Sequence, residues 1–243
     1  MTSKRSLIII CIIICLFSIS SVSANEINGT ATTIENADDG IIASSQEDAV
    51  SNTSMGTFTD LQNQILLAPE GSTLNLDKDY VYDEGFSTKG ITIAKDLTIN
   101  GNGHTIDGSD LVRIFSVSAQ NVVLKNINFT NAKASNGAAI YVSGRNLTVE
   151  NSTFVNNYAT ESGAAIYSTA DNTNIINCNI SNNEAYGPMV YSGGRYLNVV
   201  NSFFKKNYNI NSYNNPMSRT GGVINAFGSW ANIENSVFID NDA

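Results

Sequence analysis

GAAIYVSGRNLTVEN, residues 137–151, is matched by GAAIYSTADNTNIIN, residues 163–177, and the chain repeats this spacing twice more. A glycine opens a short apolar run at Gly137, Gly163, Gly187 and Gly221, and fourteen residues after each stands an asparagine, Asn151, Asn177, Asn201 and Asn235. The return from asparagine to the next glycine, starting from Asn126, takes 11, 12, 10 and 20 residues. A half that tolerates no change of length must stack in register on its neighbours, and a half that stretches must run through surface loops. The period therefore describes the coil of a solenoid.

Relative to each asparagine, Leu124, Val149, Ile175, Val199 and Ile233 stand two residues before, and Phe129, Phe154, Ile180, Phe204 and Phe238 three after. Ile140, Ile166, Val190 and Ile224 stand three residues after the glycines. Each coil thus offers three short alternating strands, stacked about 4.8 Å from those of the next coil, and the expected fold is an all-β, single-stranded parallel β-helix. The asparagine column is expected at a tight corner, because Asn and Gly tolerate left-handed backbone angles best. Gly101 extends that column, Gly101, Asn126, Asn151, Asn177, Asn201 and Asn235, one coil earlier. Cys178 shares a turn column with Ser152, Ser202 and Ser236 and reads as a small turn residue. A leucine-rich repeat, with a similar period, would place leucines three, five and eight residues before the asparagine, and these positions are not the persistent ones here.

The flanks divide the chain further. Lys4 and Arg5 before the apolar run Leu7 to Ile19, with Val22, Ser23 and Ala24 following, read as a secretory signal over residues 1–24, an uncleaved anchor being the alternative. Its removal takes Cys11 and Cys15, leaves Cys178 unpaired and moves the formal charge from −9 to −11. Such acidity argues against nucleic acid or an anionic membrane surface as partner, and no membrane insertion is expected after cleavage. Residues 25–56, rich in Ser, Thr, Asn and Asp, read as a flexible tether. Residues 57–95 read as a cap, in which Thr57 and Asp60 start a short amphipathic helix carrying Phe58, Leu61, Ile65 and Ala68 on one face before Pro69. Residues 96–243 then form the coils, with an open C-terminal edge available for edge-to-edge contact.

G-A-A-I at Gly137 and Gly163, G-G-V-I at Gly221 and F-V-N-N at Phe154 resemble the G-G-A-I and F-x-x-N repeats of chlamydial polymorphic outer-membrane proteins. The run STLNLDKDY from Ser72, with ITIAKDLTINGNGHTIDG from Ile91, is similar to the start of adhesin-like surface proteins of methanogenic archaea. The resemblance implies a right-handed, pectate-lyase-like β-helix displayed outside the cell and used in adhesion. It brings no catalytic motif to transfer.

The outer face of the glycine-led strands is where β-helix enzymes hold polysaccharides. Here that face is expected to carry Ala139, Ala165, Met189 and Val223, then Tyr141, Tyr167, Tyr191 and Asn225, with no carboxylate, lysine or histidine to serve an acid–base pair. Arg145, Asp171 and Arg195 in one column, and Lys125 and Glu150 in another, read as surface ion pairs that pin register. His104, the one histidine, reads as a solvated turn residue, and no catalytic residue, metal site or cofactor is expected. Tyr141, Tyr167 and Tyr191 are expected to form an outward ladder whose flat faces stack on sugar rings, or else one that merely stiffens the sheet. The long return containing Tyr208, Tyr213 and Arg219 is expected beside it. The sequence reading is thus an extracellular, adhesin-like display module contacting cell-surface glycans or neighbouring cells, with a polysaccharide lyase or hydrolase and a structural stalk as alternatives.

Overall fold

Short alternating segments cannot satisfy their own backbone hydrogen bonds, so each coil must borrow the N–H and C=O groups of the coils before and after it. The computed structural model describes residues 55–210, 222–228 and 230–242 of the chain. Among these, every strand pairing is parallel, and the strands form sheets of eight, seven, six and four members, each strand bonded to the equivalent strand of an adjacent coil. Register follows the sequence columns. Ile140, Ile166, Val190 and Ile224 pair in one sheet, Val149, Ile175, Val199 and Ile233 in the second, and Phe154, Ile180, Phe204 and Phe238 in the third. Up to the last coil these side chains fill one interior, in which Phe129 and Phe154 stack with centroids 4.7 Å apart.

The middle coils hold four strands instead of the expected three. Lys133–Asn136, Tyr158–Ser162, Glu184–Ala185 and Tyr208–Asn209 form the fourth sheet inside the return stretch. Each begins seven residues after its asparagine, so the variable length accumulates after the start of this strand, and the extra residue of the second return stretch is a bulge within it, between Ala159 and Ser162.

Three columns of left-handed residues turn each coil. The expected asparagines form one of them, with φ between 48° and 55° from Asn126 to Asn235, and most of them are exposed corners. The second runs Asn131, Asn156, Asn182, Lys206 and Asp240, and the third Asn121, Asn146, Asn172, Tyr196 and Trp230. Asn bridges its own side chain to its neighbour here, Asn172 Nδ2 donating to Asn146 Oδ1 at 2.7 Å and Asn146 Nδ2 to Asn121 Oδ1 at 2.8 Å. Tyr196 and Trp230 replace Asn at φ 67° and 73°, a backbone state that costs a bulky residue about 1–3 kcal/mol. Gly101 is not the corner of its coil, contrary to expectation; Asn102 is, with φ 52°. Gly101 is required for close approach instead, since a Cβ there would run into the Asn126 carbonyl oxygen and the Ile127 side chain.

A ladder that the column analysis passed over lies inside. Asn157, Asn183 and Asn207, six residues after the corner asparagines, are 0–1 % exposed. Asn183 Oδ1 accepts from the backbone N–H of Asn157 at 3.0 Å and from its Nδ2 at 2.9 Å. Asn183 Nδ2 donates back to the Phe154 carbonyl at 2.9 Å and on to Asn207 Oδ1 at 3.0 Å. The pattern repeats from Asn207 to Asn241. This is the N of the F-x-x-N repeat, and it converts a buried amide into an axial hydrogen-bonded rod with no orphaned atom.

The N-terminal end is closed as the sequence predicts. Helix α1 (Phe58–Leu67) starts at a capping box in which Thr57 accepts from the Asp60 N–H and Asp60 from the Thr57 N–H, and it buries Phe58, Leu61 and Ile65. Regular structure begins one residue before Thr57, because Gly56 already pairs with Tyr80. At the other end the inward columns of the last coil are part-open, with Ile233 and Phe238 48 % and 44 % exposed.

Replacing Asn183 by Leu leaves the Asn157 N–H and the Phe154 carbonyl without their buried partner, each worth about 1–3 kcal/mol. Urea unfolding of the Asn183→Leu chain is expected to show a loss of about 2–6 kcal/mol. Asn151→Gly, at an exposed left-handed corner, is expected to change stability by less than about 1 kcal/mol.

Candidate functional site

Alternation within the six-stranded sheet places Ile140, Val142, Ile166, Val190 and their equivalents inward, and it leaves one outward position per coil. Tyr141, Tyr167, Tyr191 and Asn225 occupy it in register. The residue before each strand does not face out as expected. Ala139, Ala165 and Met189 are 0–1 % exposed and Val223 9 %, because the chain is still rounding the corner there and turns two consecutive side chains into the core. The outer face is therefore narrower than the sequence reading made it, one tyrosine wide.

The three rings lie nearly parallel. Tyr141 and Tyr167 stack at 5.6 Å with 12° between planes, and Tyr167 and Tyr191 at 4.5 Å with 10°. Arg113 closes the far side of Tyr141, its guanidinium carbon 4.9 Å from the ring centroid. That guanidinium also donates to the Gly137 carbonyl at 3.0 Å, the Asn136 carbonyl at 2.8 Å and the Lys89 carbonyl at 3.3 Å, and burial draws its pKa down. The column analysis gave Arg113 no role, and nothing in its spacing marks it as a lid.

This geometry alters what the ladder offers. Every ring face but the outer one of Tyr191 is spent on another ring or on Arg113, so the ladder has no row of open faces for successive sugar rings to stack on. No hydroxyl of the three has a partner among the described residues, and no buried polar atom is left unsatisfied. The hydroxyl edges therefore reach solvent as a row of hydrogen-bonding groups. Burial first, then the neighbouring Tyr191 and Tyr141, raises the Tyr167 pKa, so that hydroxyl is uncharged at neutral pH.

Tyr208 does not join this row. It stands in the four-stranded sheet, in the column Lys133, Tyr158, Glu184, Tyr208, where Lys133 lies over the Tyr158 ring at 5.6 Å. Tyr213 and Arg219 lie outside the described residues, as do residues 1–54, which hold the expected signal and nearly all of the expected tether.

Several of the described acids have structural partners. Asp171 accepts from the Arg195 N–H at 2.8 Å and from its guanidinium at 3.5 Å, as a register pin should. Lys125 and Glu150 stand side by side in register, but they form no ion pair within 4.0 Å. His104 is not a freely solvated turn residue. Its Nδ1 lies 3.0 Å from Asp79 Oδ1, which also accepts from the Thr105 N–H at 2.8 Å. The Thr105 bond, with His104 assisting, holds the Asp79 carboxyl below its ordinary range. Among the described residues no three His, Cys, Asp or Glu side chains converge as metal ligands do.

Only with this geometry in place do comparisons with other proteins add to the picture. A family model described as right handed beta helix region matches residues 15–204, well over half of the chain. The chain belongs to the right-handed β-helix family. No curated protein and no solved structure matches it.

Cys178 tests whether an isolated thiol in this fold can react. It is 2 % exposed, and burial pushes its pKa up to about 11. A thiol whose folded pKa lies above its ordinary 9.0 favours the folded state below that value and loses this contribution as pH rises through about 11. Peptide mapping after alkylation at pH 8 is expected to find Cys178 unlabelled in the native chain and fully labelled in denaturant.

Proposed function

We propose that this β-helix is an extracellular, adhesin-like display module that makes weak hydrogen-bonded contacts with cell-surface glycans and does no chemistry on them. The observation that carries the reading is the row of tyrosine hydroxyls at Tyr141, Tyr167 and Tyr191, repeated at coil spacing on the outward side of one sheet. A periodic row of hydroxyl donors and acceptors suits a polymer that is itself periodic and rich in hydroxyl groups. The outward positions of this sheet in the last four coils, Tyr141, Tyr167, Tyr191 and Asn225, include no carboxylate, which favours binding over hydrolysis or elimination. The signal-like N-terminus and the resemblance to surface adhesins support placement outside the cell.

A structural stalk is the second reading, and the mutual stacking of the rings favours it, since stacked aromatics stiffen a sheet whether or not a ligand arrives. The two readings separate on the hydroxyls. A Tyr141→Phe, Tyr167→Phe, Tyr191→Phe chain keeps the stack and removes the row. Retention on a glycan array and on whole cells is expected to fall by about fivefold or more, with thermal stability unchanged. Unchanged retention would remove the hydroxyl row as the contact and leave this ladder a stiffener, and release of reducing ends or unsaturated sugars from any arrayed polysaccharide would sink the non-catalytic reading.

A further inference from the structure

A second feature, on another sheet, departs from what the fold itself asks for. The third corner column is Asn121, Asn146 and Asn172 for three coils and then Tyr196 and Trp230 for two. All five are left-handed, a conformation that suits Asn and ill suits a bulky aromatic residue. The two aromatics also gain little burial there. Tyr196 is 50 % exposed although a further coil stacks on it, and Trp230, in the last described coil, is 73 % exposed. A strained backbone with at most half-burial in return points to a use outside the core.

Beside them lies an amide-lined trough. The outward positions of the seven-stranded sheet bring Asn174, Asn198 and Asn232 into register. Asn232 Nδ2 donates to Asn198 Oδ1 at 2.9 Å, which fixes both amides and leaves the Asn198 donor and the Asn232 acceptor for a ligand. With Asn172, Tyr196 and Trp230 these amides border an open groove of about 330 Å³ whose lining carries no charged side chain. The nearest charges at this corner, Asp171 and Arg195, are bonded to each other.

We propose that this groove is a binding site for a neutral oligosaccharide. Tyr196 and Trp230 supply exposed rings where the tyrosine ladder has stacked most of its faces together, and a pyranose ring stacks on such faces through its C–H groups. The amides take the hydroxyls at the ring's edge. Successive aromatics one coil apart, about 4.8 Å, follow successive sugar units along a chain. An uncharged lining on an acidic protein selects neutral over anionic glycans. The site is separate from the tyrosine hydroxyl row and stands whether or not that row binds.

Trp230 is the only tryptophan of the chain, so intrinsic fluorescence reads the site directly. The full chain is titrated with cellohexaose, mannohexaose and a polygalacturonate hexamer, and the emission is followed. A saturable blue shift with a neutral hexaose is expected. The Tyr196→Asn chain, which restores the corner residue of the preceding coils and keeps the reporter, is expected to bind about tenfold more weakly. Its melting temperature is expected to stay unchanged or rise. The triple Tyr→Phe chain is expected to respond as the parent does, which separates this site from the hydroxyl row. No emission change with either neutral hexaose, a response confined to the anionic one, or a lowered melting temperature in Tyr196→Asn would each overturn the proposal.

Discussion

Every other feature of this molecule depends on one constraint: a strand of three or four residues is stable only when both of its neighbours present their backbone groups at the same height. Parallel pairing supplies those bonds, as when the Thr153 N–H meets the Ile127 carbonyl at 2.9 Å and the Asn179 N–H meets that of Ser152 at 2.9 Å. An insertion inside the paired half would displace every bond downstream, which is why fourteen residues separate glycine and asparagine in each repeat. The constraint is also cooperative. A coil alone orders its whole backbone and buries little, so stability belongs to the stack and to the helix that closes its first coil.

Asparagine meets this constraint in two physically different ways. On the outside it tolerates the left-handed corner and can link its amide to the one above, as Asn177 Nδ2 does to Asn151 Oδ1 at 3.2 Å. On the inside it accepts no unusual backbone angle, and its amide replaces the backbone partner that a tight corner has lost, so Asn157, Asn183 and Asn207 sit among phenylalanines without a desolvation penalty. Ala132, the equivalent residue one coil earlier, cannot propagate the rod. Its N–H donates to Asn157 Oδ1, and the rod begins there.

The columns of the paired half were legible because core packing forces a period, and Val149, Phe154 and Ile140 lie where their spacing puts them. Offsets were harder. Asn156 and Asn157 are adjacent and identical in type, and one is a left-handed corner while the other is fully buried; only the backbone tells them apart. Gly101 shares its column with asparagines for reasons of contact rather than of angle. The tyrosine column was readable but its chemistry was not, since whether rings face solvent or each other is decided by rotamers that spacing does not encode. Arg113 lies 28 residues before Tyr141 in the chain, so no local pattern could announce it as the ladder's lid.

A solenoid separates what it needs from what it leaves free. Inward columns must be apolar, and corners must tolerate a left-handed backbone. Outward strand positions answer to neither demand, and a Tyr, an Asn or a Thr serves the fold equally well there. Residues at such positions say little by their presence, and a tyrosine ladder is compatible with stiffening alone. A residue that violates a requirement says more. Tyr196 and Trp230 occupy corners at which Asn would be less strained, and they remain exposed where burial could have offset the strain. Physical cost with little structural return is the stronger argument for a binding surface, and it lies on the sheet that the repeat pattern had not singled out.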